Sequence, residues 1–418
     1  MRILLVNYRY FISGGPERMM FNVKALLESH GHEVIPFSVR SSKNVDTPYA
    51  KYFVEPIGGE DAVYYEDYKK TPKVIMQLLS RSIYSFKVKH AIQKEIRDVK
   101  PDLVYIIHMI NKLSPSVIRG AKQLGVPVVM RLSDFFMFCP KFDFLRDGKI
   151  CRECMTGSLV NCLKHRCVKG SLSASLIRVF AMKVHRLIRV YDDVSAFVAP
   201  SSYMAQVLRE SSISEERIRC IPSFTYAGEA DLPDCVGDFG LYLGRLSPEK
   251  GPEVAVKAYE KLRDHRLVIV GDDNTEEGKR LKEYVKEKGL TNIEFRGFLQ
   301  GRALHEVINA SRFMIIPSIC YENMPNTALE AMQYAKPILI SRIGSLPDLV
   351  EDGKSGFLFE CGNPDSLAQA IERMSDDGQV KEMGIVGRRL MQERFSPEAH
   401  YEKLIGLFNK VRGSAPKN

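Results

Sequence analysis

The stretch FGLYLGRLSPEKGPEVAVKAYEKL, residues 239–262, decides the fold class. It opens with the short apolar run FGLYLGRL, which is typical of a buried parallel strand. A loop, SPEKG, leads into PEVAVKAYEKL, which we predict to be a helix. The same order recurs at the start of the chain, where RILLVNY is followed by a loop with a glycine pair and a helix from Pro16. The strand EVIPFSV completes that unit, so both parts of the chain contain βαβ elements.

Further apolar runs alternate with helical stretches along the whole chain, which predicts an α/β protein with parallel sheets. The remaining predicted strands are LVYII (103–107), VPVVMRL (126–132), SAFVAPS (195–201), HRLVIVG (265–271), NIEFRGF (292–298), FMIIPS (313–318), KPILIS (336–341) and GFLFE (356–360). Residues 202–238 contain several turn residues and mark a transition between two such series. The simplest architecture is therefore two doubly wound domains.

These patterns predict three segments. Residues 1–225 form an N-terminal domain with a cysteine-rich insertion at 139–167, and residues 226–395 form a C-terminal domain. Residues 396–418 hold a last helix, expected to pack back on the N-terminal domain, and a loose tail GSAPKN.

Composition excludes several protein classes. Of the 418 residues, 45% are hydrophobic and 27% are charged, which is ordinary globular composition. There is no run of about 18 uninterrupted apolar residues, as a membrane-spanning helix would need. The first residues lack the charged, apolar and small-residue regions of a signal peptide. We therefore expect a cytoplasmic protein.

Charge is uneven along the chain. Residues 1–200 carry 31 Lys and Arg against 18 Asp and Glu, whereas the remainder carries 29 against 33. A basic half is compatible with nucleic acid, anionic lipid or a phosphorylated substrate, and equally with solvated Lys-rich helices. The basic stretches 69–97 and 164–189 are interleaved with apolar residues and could present one apolar and one basic face to a membrane. We expect peripheral contact with the inner face of a membrane as a hypothesis, and no nucleic-acid partner.

Two glutamates stand in the segment SICYENMPNTALEAM, residues 318–332, directly after a predicted strand. Pro325 and Asn326 predict the start of a helix, with Asn326 as its N-cap. Backbone N–H groups near Thr327 would then form a site for a diphosphate. Glu322 could accept hydrogen bonds from sugar hydroxyls, and Glu330 could accept both hydroxyls of a ribose. The alternative is two solvated glutamates.

A second constellation follows the first strand of the C-terminal series. Arg245 and Lys250 lie in one strand-to-helix loop, GRLSPEKG, residues 244–251. Two cations there would neutralise a departing nucleotide diphosphate. Neither GxGxxG nor GxxxxGK[ST] occurs, so a simple dinucleotide-binding dehydrogenase and a P-loop kinase both lack their fingerprint.

Taken in order, these segments resemble the retaining glycosyltransferases of the GT-B fold, family 4. The likeness begins at the loop with Gly14, Gly15 and Glu17 and continues through residues 244–251. It includes the E-x7-E pair and IGSLPDLVEDGKSGFLF, residues 343–359. The resemblance covers nearly the whole chain and implies two Rossmann-like domains facing a central cleft.

The resemblance implies roles for individual residues. Arg245, Lys250 and Glu322 would be catalytic, with the two cations on the donor diphosphate and Glu322 on the donor sugar. Donor binding would involve Gly14, Gly15, Arg296, Gly297, Phe298, Asn323, Met324, Pro325, Asn326, Thr327 and Glu330. Glu17, His108 and Asp134 would lie on the acceptor side. The implied reaction is transfer with retention of configuration, without a catalytic metal.

The sequence departs from the family pattern at several positions. A His-Asp pair is usual after the fourth strand-like segment, and here Ser133 precedes Asp134. A serine cannot replace the acid–base chemistry of an imidazole. His108 lies nearby but one position away from the usual histidine, and Ser345 and Asp348 replace the usual Gly and Glu. These differences predict a changed acceptor or donor sugar, with loss of activity as the alternative.

Five of the nine cysteines fall within residues 139–167. Cys151 and Cys154 have the spacing of a tetrahedral zinc knuckle, and His165 lies between the last two cysteines. We predict a structural zinc ion held by Cys151, Cys154 and two of Cys139, Cys162 and Cys167, with reduced buried thiols as the alternative.

The sequence therefore predicts an enzyme that transfers a sugar from a nucleotide-diphosphate-sugar donor to a glycan or lipid-linked acceptor in cell-surface polysaccharide biosynthesis. An epimerase would need acid–base carboxylates and histidines that are not found at matching positions, and a phosphorylase would need a far longer chain. The other alternative is a non-catalytic GT-B protein that acts as a zinc-bearing membrane or nucleic-acid adaptor. That alternative leaves the two glutamates and two cations unexplained.

Overall fold

Two parallel sheets, each of six strands, organise the chain in this computed structural model. The structure describes residues 1–59, 68, 71–109, 112–226 and 236–414. The strands are β1 Arg2–Asn7, β2 Glu33–Phe37, β3 Leu103–His108, β4 Val128–Arg131, β5 Leu145–Arg146, β6 Lys149–Ile150, β7 Ala196–Ala199, β8 Ile218–Cys220, β9 Phe239–Leu243, β10 Arg266–Val270, β11 Ile293–Phe295, β12 Phe313–Ile316, β13 Ile338–Ser341 and β14 Gly356–Phe359.

Helices cover both faces of the sheets. They are α1 Gly15–Ser29, α2 Pro72–Ile83, α3 Phe86–Val99, α4 Ser116–Lys122, α5 Glu153–Thr156, α6 Val160–Lys164, α7 Leu172–Leu187, α8 Ser202–Glu210, α9 Pro252–Lys261, α10 Glu276–Glu287, α11 Gly301–Ala310, α12 Asn326–Gln333, α13 Pro364–Glu372, α14 Asp377–Arg394 and α15 Pro397–Gly413. None of the helices within the described ranges is long and apolar enough to cross a bilayer.

The strand orders are β2-β1-β3-β4-β7-β8 in the first sheet and β11-β10-β9-β12-β13-β14 in the second. Both are doubly wound: the order reverses beside the first strand of each sheet. Ligands bind at such switch points because the loops on either side diverge there and leave a crevice. The first switch point lies between β1 and β3, and the second lies between β9 and β12. The predicted α/β class with two Rossmann-like units is confirmed.

Alternation of side chains along the strands builds a core on each face of the first sheet. Leu4 and Val6 of β1 pack on one face, whereas Ile3 and Leu5 pack on the other. A strand buried on both faces must be largely apolar, and residues 3–6 of β1 satisfy this condition. The second sheet is covered on both faces in the same way.

Every predicted strand is present; β3 extends one residue further than predicted, to His108, and the others are shorter by one to three residues at one or both ends. The segment 202–238, predicted as a transition, contains the helix α8 and the strand β8. The predicted boundary at residues 225 and 226 adjoins residues 227–235, which lie outside the described residues. Residues 69–70 of the basic stretch 69–97 and residues 415–418 of the tail also lie outside them, as do residues 60–67. The domain bounds stay a prediction.

The last helix, α15, packs on the first sheet rather than on the second. Its Leu404, Leu407 and Phe408 share an apolar cluster with Ile3 of β1. The ring of Phe408 meets Tyr105 of β3 at 5.2 Å between centroids. His400 is also buried there and its Nδ1 lies 2.7 Å from the carbonyl oxygen of Pro222. The chain therefore crosses back to the first sheet after completing the second.

Glu95 on α3 is an unusual core residue. Its side chain is 0% exposed, and its two carboxylate oxygens have no hydrogen-bond partner among the described residues. Burial, reinforced by the negative charge of Asp98, raises the pKa of Glu95 from 4.5 to about 9. The folded state therefore binds a proton that the unfolded state releases between these two pKa values.

This proton linkage predicts the effect of Glu95→Gln, which removes the ionisation at nearly constant shape. Between pH 4.5 and 9 the wild type loses stability as pH rises, because ionisation favours the unfolded chain. We expect Glu95→Gln to raise the free energy of unfolding by about 2 kcal/mol at pH 8 and to have little effect near pH 5. Urea denaturation at both pH values measures this, with the exposed Glu306→Gln as the control. An equal effect of Glu95→Gln at both pH values would contradict it.

Candidate functional site

A cavity of about 410 Å³ lies between the two sheets, at the edge where the carboxyl ends of their strands meet. Both halves of the chain line it. The N-terminal half contributes Gly15, Pro16, Arg18, Met19, Asn22, Arg131, Ser133, Asp134, Phe135, Phe142, Asp143, Ser223, Phe224 and Thr225. The C-terminal half contributes Lys250, Tyr321, Glu322, Asn323, Met324, Pro325, Asn326 and Glu330. Nine of the seventeen predicted catalytic, donor-binding and acceptor-side residues thus line one cleft.

Lys250 and Glu322 form an ion pair at the second switch point. The Lys250 ammonium donates to Oε1 of Glu322, and the hydroxyl of Ser318 donates to the same oxygen over 2.9 Å. The side chains are 24% and 13% exposed, so the pair is only partly accessible to water. A partly buried cation can hold an anion more strongly than a fully solvated one, because the effective dielectric constant is lower.

The turn that contains Lys250 packs closely against the end of β12. Residues 248–250 form one 3-10 turn, and the Ile319 N–H donates to the Glu249 carbonyl over 3.0 Å. Gly251 follows with φ +68°, and a Cβ on it would lie 2.0 Å from the carbonyl oxygen of Pro317. The close approach of these two backbones places the Lys250 side chain beside Glu322.

Arg245 lies in the same loop but in a different environment. Its side chain is 76% exposed and lies 3.4 Å from the Glu249 carboxylate. The hydroxyl of Tyr242 donates to the Arg245 carbonyl over 2.8 Å, which fixes the loop backbone. Arg245 and Thr327 line a second cavity of about 210 Å³, which shares Lys250 and Glu322 with the cleft.

Helix α12 begins one residue earlier than expected. Pro325 is the N-cap, with φ −71° and ψ 125°, and Asn326 is the first helical residue rather than the cap. The predicted Asn326 N-cap is therefore wrong: no side chain caps this helix. Pro325 can occupy the cap because the N–H it lacks is not needed there. The N-terminus of α12 still points into the two cavities, through Asn326 and Thr327.

Glu330 lies one turn inside α12 and lines the cleft. Burial raises the pKa of Glu330 above 4.5, and the positive charge of Arg18 opposes this rise. Arg18 belongs to α1 of the first half and also lines the cleft. The two residues thus bring charges of opposite sign to the cleft from its two sides.

Several contacts join the two halves beside this site. The Asn323 amide donates to the Ser133 carbonyl over 2.7 Å. Tyr321 stacks on Tyr203 with 4.4 Å between ring centroids. Such contacts hold the loop of residues 319–325 against the N-terminal half.

The two substituted positions of the C-terminal motif also make bonds. The hydroxyl of Ser345 donates to the Glu322 carbonyl and so restrains the Glu322 backbone. Asp348 accepts from the Ser202 N–H over 3.0 Å and from its hydroxyl over 2.8 Å. Because Ser202 opens α8, the carboxylate also lies where the helix dipole favours negative charge.

His108 and Asp134 come together from two neighbouring strand ends. Nε2 of His108, the last residue of β3, lies 3.2 Å from Oδ2 of Asp134, which follows β4. Nδ1 of His108 is buried and has no partner in the described ranges of the chain. Glu17 is 2% exposed and its carboxylate lies 3.8 Å from the Arg9 guanidinium. Of these three acceptor-side residues, Asp134 alone lines the cleft.

Residues 296–298 lie away from both cavities. They follow β11, where Gly297 has φ +66° and Phe298 is 71% exposed. The Arg296 guanidinium donates to Glu294 over 2.7 Å. Gly14 is the N-cap of α1, next to Gly15 at the cleft.

Three of the five cysteines of the insertion lie in one cluster. No group of three or more His, Cys, Asp or Glu side chains in the described ranges is arranged to hold a metal ion. Cys154, Cys162 and Cys167 pack with Leu159, Val179 and Met182, and all five thiols are free. Burial raises the pKa of Cys154 to about 12 and that of Cys167 to about 11, which favours neutral thiols. The structural zinc ion at Cys139, Cys151, Cys154, Cys162 and Cys167 stays a prediction.

Sequence reasoning missed three charged residues of the cleft. Arg18, Arg131 and Asp143 all line it. Arg131 is 5% exposed and donates to the Ser223 hydroxyl over 2.7 Å. A charged residue at the end of the apolar run VPVVMRL was the available signal for Arg131, because charge at the carboxyl end of a buried strand lies where ligands bind.

Part of the sequence matches a known family. Residues 238–389 match the family described as glycosyl transferases group 1. A D-inositol 3-phosphate glycosyltransferase from Acidothermus cellulolyticus is 32% identical over 180 residues, which are 40% of this chain and 40% of that protein. The chain spans less than half the length of this relative and of three further curated relatives.

Solved structures resemble the chain over almost its full length. A glycosyltransferase from Rickettsia africae has a TM-score of 0.68 at 18% identity and is covered to 99%, as is this chain. The Anabaena protein HepE, in complex with UDP and glucose, has a TM-score of 0.62 at 17% identity, with 98% of this chain and 100% of that chain covered. The two Rossmann-like units and the similarity to these solved structures show that the chain has the GT-B fold, and its residues 238–389 match the group 1 glycosyl transferases.

Proposed function

We propose that this protein is a glycosyltransferase that moves a sugar from a nucleotide-diphosphate-sugar to an acceptor hydroxyl. The observation that carries the proposal is the Lys250–Glu322 pair at the second switch point, open to the cleft. The group 1 match over the same half and the likeness to a protein solved with UDP and glucose support it.

The C-terminal half would bind the donor. Lys250 and Arg245 neutralise the diphosphate, whose approach displaces Lys250 from Glu322. Glu322 then accepts hydrogen bonds from hydroxyls of the donor sugar, and the backbone of Asn323 and Met324 positions that sugar. Glu330 accepts from the two ribose hydroxyls. Arg296, Gly297 and Phe298, at the end of β11, would contact the base.

The reaction follows from these positions. The bond between the sugar anomeric carbon and the diphosphate oxygen breaks, and its electron pair stays on that oxygen. The acceptor oxygen forms the new bond on the same face, so the configuration is retained, and its proton passes to a donor phosphate oxygen. Lys250 and Arg245 stabilise the charge that develops on the leaving group, so this scheme assigns no step to a divalent metal.

The N-terminal half would receive the acceptor. Its cleft wall contains Asp134, held by His108, together with Arg18 and Arg131. Cations in this wall suit an acceptor that carries negative charge or is presented at an anionic surface. We assign the acceptor to glycans or lipid-linked glycans of cell-surface polysaccharide assembly.

A screen of UDP-, GDP- and ADP-sugars tests the function. We expect one nucleotide class to raise the melting temperature and to be hydrolysed slowly, with the same rate in EDTA. Proton NMR of the product formed on a simple glycan acceptor reports the anomeric configuration. Absence of binding by all three classes would refute the proposal, and EDTA-sensitive turnover restored by Mg²⁺ would refute its metal-free part.

Glu330→Ala is expected to weaken nucleotide binding by about 1–3 kcal/mol, because hydrogen bonds from the ribose to a charged acceptor are lost. Isothermal calorimetry with the matching nucleoside diphosphate measures this, and Glu372→Ala at the end of α13 is the control. Because burial raises the pKa of Glu330, wild-type affinity should fall on acidification at a pH above the usual titration range of glutamate. Glu330→Gln should abolish this pH dependence. Unchanged affinity in Glu330→Ala would remove the ribose assignment.

A further inference from the structure

The solvent face of α7 carries four large apolar residues. Leu172, Leu176, Phe180 and Leu187 are 52%, 55%, 53% and 82% exposed. Their spacing places them on one side of the helix, opposite the buried Arg178, Ala181 and His185. A helix on the surface of a globular protein normally exposes polar residues on that side. Four large apolar side chains on one exposed helix face indicate that this face contacts something other than water.

Neighbouring helices extend this apolar surface. Helix α7 packs on α2 and on α6, which expose further apolar residues. His185 of α7 is buried and lies 2.7 Å, through Nε2, from the Ile83 carbonyl at the end of α2. The α2–α7 face, as we name it, consists of Ile75, Met76, Val160, Leu172, Leu176, Phe180 and Leu187.

Basic residues predominate along the segments that carry the α2–α7 face. Residues 154–191 contain seven Lys and Arg and no Asp or Glu. Lys183 and Arg186 are exposed on α7 itself. The stretch 71–94, which includes α2, also lacks acidic residues and carries the exposed Lys73 and Lys87. Apolar side chains interspersed with basic residues match a bilayer with anionic headgroups, which offers both an apolar layer and negative charge.

The α2–α7 face is linked to the cleft by one buried residue. Arg178, on the inner side of α7, donates to the Phe136 carbonyl over 2.9 Å. Its guanidinium also lies over the ring of Phe142, 4.9 Å from the centroid. Phe142 lines the cleft. A surface in contact with α7 would therefore lie next to the N-terminal side of the cleft, where the acceptor is proposed to bind.

We propose that the α2–α7 face docks onto an anionic lipid bilayer, with the apolar side chains of α7 inserted among the headgroups and Lys183 and Arg186 on the phosphates. Docking holds the N-terminal half at the surface, where an acceptor anchored in the membrane can enter the cleft. The docking proposal depends only on the residues of the α2–α7 face. The proposed function enters only in the access of a membrane-anchored acceptor to the cleft.

Vesicle flotation with the full chain tests this. We expect binding to vesicles of phosphatidylcholine mixed with phosphatidylglycerol at low salt, weaker binding at high salt, and little binding to phosphatidylcholine alone. Combined Leu176→Gln, Phe180→Gln and Leu187→Gln should lower the fraction bound on the order of tenfold, since three insertions are lost. Because these side chains face solvent, the variant should fold, which thermal unfolding checks. Ile385→Gln, at an equally exposed position on α14, is the matched control.

The outcomes separate the proposal from its rivals. Lys183→Glu with Arg186→Glu should also reduce binding, whereas Arg388→Glu with Arg389→Glu on α14 should not. No binding to mixed vesicles at low salt, or equal loss in the control variants, would overturn the proposal. Self-association in sedimentation that the α7 variant abolishes, without vesicle binding, would assign the face to a second copy of the chain. Donor binding by calorimetry is read separately, so failure of docking and failure of the enzymatic proposal are distinguishable.

Discussion

Replacing Lys250 by alanine is expected to lower turnover by about 10²-fold or more, the loss seen when developing negative charge loses its partner. The structure gives a second reason for a large effect. Glu322, 13% exposed, would lose its cation while keeping its own negative charge beside the diphosphate. The ammonium therefore removes a repulsion as well as supplying an attraction. Arg245→Ala should lower turnover similarly, since both cations meet the same leaving group.

Steady-state kinetics with the donor found in the screen measure this effect. Lys257→Ala on α9 is a matched control, because this lysine also pairs with a glutamate, Glu253, but is 44% exposed and lines neither cavity. Lys250→Arg should recover part of the rate, which a merely structural role would not require. A wild-type rate in Lys250→Ala would contradict the leaving-group assignment.

Replacing Gly251 by alanine is expected to destabilise the protein by about 3 kcal/mol, through a left-handed backbone and a steric clash together. The clash is with backbone: the new Cβ would lie 2.0 Å from the Pro317 oxygen, which cannot move without shifting the end of β12. Relief of that clash separates the turn from Ser318 and so moves Lys250 away from Glu322. We therefore expect loss of donor affinity along with stability.

Gly289→Ala separates the two contributions. Gly289 has φ +60°, close to the φ of Gly251, but its Cβ would meet no atom within 4 Å. Gly289→Ala should therefore lower the free energy of unfolding by about 1 kcal/mol, through the backbone conformation alone, and leave donor binding unchanged. Chemical denaturation and calorimetry on the two variants measure the difference. Equal destabilisation by Gly251→Ala and Gly289→Ala would mean that the clash with Pro317 adds nothing to the loss of stability, which would contradict the prediction.

The strands and the fold class follow from local pattern. The runs ILLV and FGLYL are apolar, as a strand with both faces buried has to be. Their alternation with amphipathic helices leaves few topologies besides a doubly wound sheet. By contrast, β8 has one buried residue in three, Ile218, so its sequence carries too little apolar pattern to predict a strand.

The N-cap of α12 and the cysteine cluster show the limits of local pattern. Asn326 has a better capping side chain than Pro325, yet Pro325 is the cap, because the loop of residues 319–325 is held from outside by Tyr321 and Asn323. The C-x2-C spacing of Cys151 and Cys154 is compatible with a metal ligand pair. Whether two more ligands converge depends on the packing of α6, which carries Cys162 into an apolar cluster with Cys154 and Cys167.

The sequence by itself determined the two series of strands and helices, the positions of Glu322, Glu330, Arg245 and Lys250 in loops at strand ends, and the excess of basic residues in the N-terminal half. These properties are local, since they depend on residue type and spacing along one segment. Tertiary structure decided which distant segments meet: Lys250 with Glu322, His108 with Asp134, Arg18 opposite Glu330, and the apolar face of α7 turned to solvent. Such pairings depend on strand order and domain packing, which no single segment encodes.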